Sequence, residues 1–353
     1  MKFKRLTAIL LAGVMTASVL TGCGINKNAA VATLGEQEIS LGVVNFICRY
    51  QQAVTDDLYT QYFGEDVWNQ DLYGSGSTMQ ETVKTQVVEG VHEMYTLKAH
   101  MSDYNVEITD EDKSAIEEAA KSFMEENSSD ALDEMGATQD IVEEVLTLYT
   151  IRAKMTEAIK ADADTEVSDE EANMRAYTML DIKTDSYTDS ETNSTVEYTD
   201  EEKEQLKDMA DAVEAAVEDG DALEDVCEAY GYSDAVTTGT YAADNDTLDS
   251  NVKDALDSLK EGETSAVIET DTDLYIVRID KDTDEDATES NRESIIKQRQ
   301  DDLYDSVLEG WQESDGWTVN EKKLTKIDFK NRFTQTTESD TESTEAVEST
   351  EAN

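Results

Sequence analysis

Apolar side chains return every three or four positions between residues 79 and 104, at Val83, Val87, Val91, Met94, Leu97 and Met101. A stripe of this period predicts a helix with one face in a core. The same spacing runs through Gln139 to Lys160, at Ile141, Val142, Val145, Leu148, Arg152, Met155 and Ile159. It returns from Ala287 to Gln312, at Ile295, Ile296, Arg299, Leu303, Tyr304, Val307 and Trp311. A further helix is expected from Leu41 to about Tyr62, capped by Ser40 and preceded by a strand, a glycine turn and a short strand over Val31 to Ser40. Thr109 and Asp112 form the Thr-x-x-acid pattern of a capping box, and Thr138 is placed to cap the helix after it.

Between Met174 and Ile279 the pattern changes. A strand-like run, Met174 to Thr184, is followed by a polar loop and by helices expected at 199–218, 221–230 and 250–259. The stretch closes with Glu261 to Thr270 and a strand, Leu274 to Ile279, giving the order β-α-α-α-β. Beyond the 287–312 helix, Trp317 to Asn320 and Leu324 to Phe329 read as a final strand pair. Neither flank can bury its stripe alone, so the two are expected to share one unit with the central module inserted between them.

Charge narrows the partners. The 353 residues hold 28 lysines and arginines against 82 acids, a formal charge of −54. Phosphate recognition needs clustered cations, so nucleic acid and anionic lipid surfaces are excluded as electrostatic partners. Basic partners or counter-ions suit such a surface. Proline is absent, so no native prolyl bond can slow the protein's own folding. Residues 333–353 are almost wholly Thr, Ser and Glu with few apolar positions, the composition of a disordered acidic tail.

Some motifs invite chemistry that their surroundings do not complete. His92-Glu93 opens like a zinc-protease helix, but Thr96 stands where the second ligand belongs. Asp280, Asp282, Asp284 and Asp286 alternate like a calcium loop, yet Glu285 replaces the required glycine and Asn291 the bidentate glutamate. Cys48 and Cys227 lie on apolar helical faces of different modules and read as small buried residues. No metal and no cofactor is expected.

Three resemblances give these elements a context. Lys2, Lys4 and Arg5, the apolar run Leu6 to Leu20, and Leu20-Thr21-Gly22-Cys23 resemble a bacterial lipoprotein signal with its lipobox. That implies removal of residues 1–22, lipidation of Cys23 and a place on the extracytoplasmic face of the bacterial cell membrane, held by buried acyl chains. The opening VATLGEQEISLGVVNF, the phrase V-x-I-T-D-E-D, and M-G-A-T followed by V-E-E-V-L and R-A-K-M resemble SurA- and PrsA-type chaperones. The ending GETSAVIET…LYIVRI of the central module resembles the parvulin class of peptidyl-prolyl isomerases.

The resemblance implies an α+β chain. Its SurA/PrsA-like helical domain would be built from residues 23–165 and 286–332, around an inserted parvulin-like α/β domain at 166–285. It implies a foldase that holds unfolded or newly exported polypeptides, with Tyr50, Tyr59, Tyr62, Phe63, Trp68 and Tyr73 as candidates for the client surface. Parvulins work around two histidines on adjacent strands, in H-I-L-I-K-T and G-Y-H-I-I-K-V, with a Cys or Asp beside them. Laid on this chain, the histidine positions fall at Met179 and Tyr275, and the third nearest Asp234. Met179 cannot exchange hydrogen bonds as an imidazole does, and Tyr275 without its partner leaves no paired network. Three readings follow: a chaperone of the isomerase family, a non-catalytic lipoprotein for one dedicated partner, and an isomerase in which Tyr275 substitutes for the histidines.

Overall fold

The computed structural model describes residues 14–16, 25–189, 191–245, 247–332 and 334–336. Cys23 and nearly all of the signal-like segment lie outside the described residues, as do residue 333 and residues 337–353 of the acidic tail. Among the described residues, no helix is long and apolar enough to cross a membrane. The chain divides into two units, one from residues 1–163 and 300–353 and one from 164–299.

The first unit opens with β1 (Ala30–Leu34) and β2 (Gln37–Ser40), joined through Gly35, whose φ of 55° suits a residue without Cβ. Ser40 then caps α1 (Leu41–Phe63), its hydroxyl accepting from the Val43 amide. The periodic stripes become α2 (Met79–Ala99), α3 (Asp110–Glu126), α4 (Ser129–Met135) and α5 (Gln139–Lys160). Thr109 and Asp112 make the expected capping box, and Thr138 caps α5. Val83, Val87, Val91 and Met94 of α2 meet Phe46 of α1, Phe123 of α3, and Val142, Val145 and Leu148 of α5 in one core. A second cluster joins Leu97, Ile151, Met155 and Ile159 to Leu303, Tyr304, Val307 and Trp311 of the late helix.

The C-terminal residues return to α1. The strand Trp317–Val319 pairs antiparallel with β1, completing a three-stranded sheet. Beyond it the expected second strand is absent: Glu321–Leu324 is a helical turn, capped by the Asn320 side chain, and Ile327 and Phe329 insert into the core instead. Buried Arg49 on α1 holds this segment, donating to the carbonyls of Asp328 (2.9 Å) and Asn331 (2.5 Å) and to Glu134 (3.1 Å). Gln52 donates to the Phe329 carbonyl, and buried Asp56 accepts from Arg332 and from the Trp68 indole. Both histidines serve the same docking. His92 stacks on Trp317 at 4.3 Å and pairs with Asp315, while His100 stacks on Trp311 at 4.1 Å and pairs with Asp103.

In the second unit a single helical turn, α6 (Asp169–Ala172), leads into β3 (Arg175–Lys183), a central strand. A four-stranded antiparallel sheet runs β6 (Val236–Tyr241), β3, β8 (Asp273–Lys281), β7 (Ile268–Glu269). The hairpin of β4 (Ser186–Thr188) and β5 (Thr195–Glu197) occupies what the sequence presents as a polar loop. One sheet face carries Leu180, Ile182, Leu274 and Ile276 beneath α7 (Asp200–Glu218) and α8 (Leu223–Tyr230), and there Cys227 is buried. The other face carries Tyr241, Val277 and Ile279 against Val252 and Leu256 of α9 (Ser250–Ser258). The order of sheet and helices makes this an α+β chain.

The late helix, α10, runs Glu285–Gln312. Cys48 and Cys227 are free and buried, and burial pushes the Cys48 thiol up to about 12. Neither is a nucleophile in waiting. Three of the four alternating aspartates pair with cations of the same unit: Asp280 with Arg278, Asp282 with Arg175 and Asp284 with Lys281. No group of three or more potential metal ligands occurs among the described residues.

Candidate functional site

Side chains opposite one another on antiparallel strands share a face. The register pairs Met179 with Val277 and Asp181 with Tyr275, so these four side chains project to the α9 side of the sheet. Met179 and Tyr275 both pack, partly buried, against the Tyr241, Val252, Leu256, Val277 and Ile279 cluster, with Ile268 and Tyr177 beside them. Tyr177 lies opposite Gly239, and a Cβ there would meet its hydroxyl at 2.7 Å. Glycine is what lets the ring lie flat on β6.

The two sequence-aligned positions are therefore neighbours on one apolar floor. Asp234 is placed differently: it sits exposed in the turn Ser233–Ala235 ahead of β6, with no hydrogen bond or ion pair from its side chain among the described residues. Nothing in its contacts ties it to Met179 or Tyr275.

A polar group at the edge of this floor escapes the sequence pattern. Lys183 lies opposite Asp273, with its Nζ 2.5 Å from Asp273 Oδ1 and 3.9 Å from Asp181 Oδ2. Thr272 donates to Asp273 Oδ2 at 2.5 Å. Asp181 Oδ1 and Asp273 Oδ1 are buried acceptors without a directed hydrogen bond, so Lys183 meets Asp273 as an ion pair off the hydrogen-bonding direction. Burial, and then the neighbouring Asp273 carboxyl, raise Asp181 above the ordinary aspartate range. Burial also works against Asp273, but its contacts with Lys183 and Thr272 outweigh it and hold that group low. As pH falls, Asp181 takes the proton first, and the proton can be shared with Asp273. Both aspartates are plain in the sequence, but only the register brings them together.

Tyr275 stands over these charges. Burial, followed by the charges of Asp181 and Asp273, pushes its phenol up to about 12, so it stays protonated at neutral pH. Its hydroxyl makes no hydrogen bond among the described residues. The face thus offers an apolar floor, a thioether and the phenolic hydroxyls of Tyr275 and Tyr177, neither of them hydrogen-bonded among the described residues. It contains no imidazole, because the chain's two histidines, His92 and His100, belong to the first unit.

Residues 171–291 match the family described as the PPIC-type PPIASE domain. The second unit carries a PPIC-type PPIase domain. Solved structures that match over most of the chain include three foldase or chaperone proteins. The foldase protein PrsA from Streptococcus pneumoniae is 18% identical, with 73% of this chain and 97% of that one covered at a TM-score of 0.29. PrsA from Lactococcus lactis is 16% identical, covering 85% and 100% at 0.34. A SurA-like chaperone of Campylobacter jejuni, from work on PEB4 and Cj1289, is 8% identical, covering 83% and 100% at 0.28. Scores this low mark a loose likeness. No curated protein sequence matches the chain.

The other candidates lie on the first unit. Val54, Leu58 and Tyr62 are exposed at four-residue intervals along α1, and Tyr62 is 71% exposed. Phe63 joins them, its ring 6.5 Å from that of Tyr62, and Tyr73 is exposed in the following loop. Tyr59 is only partly open, packed against Trp68 and Phe63, and Tyr50 is half-buried against Phe46 and Phe123. Trp68 is 2% exposed with its indole N–H bound to Asp56. It is a core residue and has no surface to offer a client. Sequence periodicity could not separate it from the exposed aromatics, because an aromatic in an irregular connector has no period to place it.

Proposed function

We propose that this protein is a membrane-anchored extracytoplasmic chaperone of the foldase type, holding unfolded polypeptides on its helical unit. The observation that carries the reading is the exposed ridge Val54, Leu58, Tyr62 and Phe63, on a helix whose opposite face is the core of the unit. An isolated exposed leucine needs no explanation, but an aligned apolar and aromatic ridge is a binding surface in the making. A PPIase-type domain in the same chain supports the reading. So do the SurA- and PrsA-like phrases that run from Val31 to Met155 in the sequence. The anchor would be the lipid on Cys23.

The PPIase-type domain serves in this proposal as a second binding face. Prolyl isomerisation must cross a barrier of about 18–20 kcal/mol set by amide resonance. Lowering it takes placed hydrogen bonds that strengthen as the amide twists. Tyr275 supplies one donor and Met179 none. A protease-coupled proline assay should therefore give a rate near background, and a rate far above it that vanishes in Tyr275→Phe would show an isomerase instead. The holding activity is tested by aggregation of a reduced, unfolded secreted protein: the chain should suppress it near stoichiometry, and no effect in excess would end the proposal.

A further inference from the structure

The ridge on α1 sits in a stretch with a marked charge pattern. From Gln51 to Val83 there is no lysine, arginine or histidine, and there are six carboxylates: Asp56, Asp57, Glu65, Asp66, Asp71 and Glu81. Three of these are tied into the fold, and a fourth, Asp66, stays exposed while accepting from the Asn69 side chain at 2.7 Å. Asp56 is buried between Arg332 and Trp68, Asp71 accepts from the amides of Ser75 and Gly76, and Glu81 closes the capping box of α2. Asp57, Glu65 and Asp66 are exposed, and none has a cation partner among the described residues. They flank Leu58, Tyr62 and Phe63 in the chain.

Backbone electrostatics add to this. α1 ends at Gly64 with no basic residue in its last turn, so no charge there offsets the negative end of its dipole, although the Gln70 amide donates to the Phe63 carbonyl. Exposed aromatic faces such as those of Tyr62 and Phe63 also attract cations. Apolar contact area, three carboxylates without cations, a helix C-terminus without a basic residue and two aromatic faces converge on one partner chemistry.

We propose that this face selects unfolded segments that combine apolar or aromatic side chains with lysine or arginine, and disfavours acidic segments of equal hydrophobicity. The selectivity rests on the chaperone reading and gives it a client class. Charge supplies the discrimination and the approach rate, whereas the ridge supplies the contact area.

The test uses the full chain and short unstructured peptides with one Leu-Phe-Tyr centre, flanked by lysines, by serines or by glutamates. At low salt the lysine-flanked peptide should bind about tenfold tighter than the glutamate-flanked one, and the gap should close above about 0.5 M salt. The whole chain is acidic, so a local test is needed. The triple variant Asp57→Asn, Glu65→Gln, Asp66→Asn should lose most of the preference while binding the serine-flanked peptide as before. Leu58→Asn with Tyr62→Asn should weaken all three peptides alike, with unchanged thermal melting. Equal affinity for the lysine and glutamate peptides, or a preference untouched by the triple variant, overturns the selectivity and leaves the chaperone reading standing. Binding of no peptide, with no suppression of aggregation, overturns both.

Discussion

The two units hold their charges in opposite ways. In the helical unit the charges that matter are inside: Arg49 and Asp56 are buried and joined to backbone carbonyls, an indole and Arg332. In the inserted unit, residues 164–299, 41 acids face 11 basic residues, and apart from the buried Asp273 carboxylate beside Lys183 its ion pairs lie near the surface around a thin sheet. Buried pairs are costly to break from one side, because the remaining partner stays charged and dry, whereas exposed pairs contribute little. The helical unit should thus be brittle to single charge deletions and indifferent to mild acid. The insert should behave the other way round.

The strongest test is Arg49→Ala. It strands Glu134 and the carbonyls of Asp328 and Asn331, and should cost about 3–5 kcal/mol in denaturant unfolding of the helical unit. A transition of the insert that moves equally would break the contrast. Next comes Asp273→Asn, which weakens the Lys183 ion pair and the Thr272 hydrogen bond and should cost the insert about 1–2 kcal/mol.

The third test is acid. Bidentate hydrogen bonds from Arg278 to Glu224 hold that carboxyl down to about 2, against 4.5 ordinarily. A depressed carboxyl stabilises the fold fully above its unfolded value, so this contribution fades as pH falls from about 4.5 towards 2. Glu224 is half exposed, so Glu224→Gln should cost only about 0.5–1 kcal/mol at neutral pH and flatten the acid limb of the insert's stability curve. The smallest effect is expected from Asp181→Asn. It places an amide donor beside Asp273 and removes a disfavoured charge, so stability should rise by about a few tenths of a kcal/mol at neutral pH. A loss instead would show that Asp181 is ionised and needed there.

Helices were legible in the sequence because their signals are local. The stripes of α2 and α5 and the caps at Ser40, Thr109 and Thr138 each depend on residues a turn or two apart. Features made by distant pairing were not. β6 reads as a glycine-containing loop because Val236 to Tyr241 alternates weakly, and it becomes a strand only by pairing with β3. Leu324 to Phe329 has strand-forming side chains but joins no sheet, because Glu321–Leu324 coils into a helical turn and Ile327 and Phe329 go into the core. At the site, the substitutions Met179 and Tyr275 could be read directly, whereas the Asp181, Lys183 and Asp273 group needed the register of β3 against β8.

The grip of Arg49 and Gln52 on residues 328–331 has a consequence for how the chain is made. Those partners are separated by 279 to 282 positions for Arg49, so α1 leaves the ribosome long before the segment that completes it. The insert, with all its strands between Arg175 and Lys281, can finish first. Until the last stretch arrives, the helical unit stays open with Arg49 facing Glu134 but lacking its carbonyl partners, and closure of a contact this distant in sequence is slow. The protein that we propose holds unfinished chains would itself remain one almost to its end.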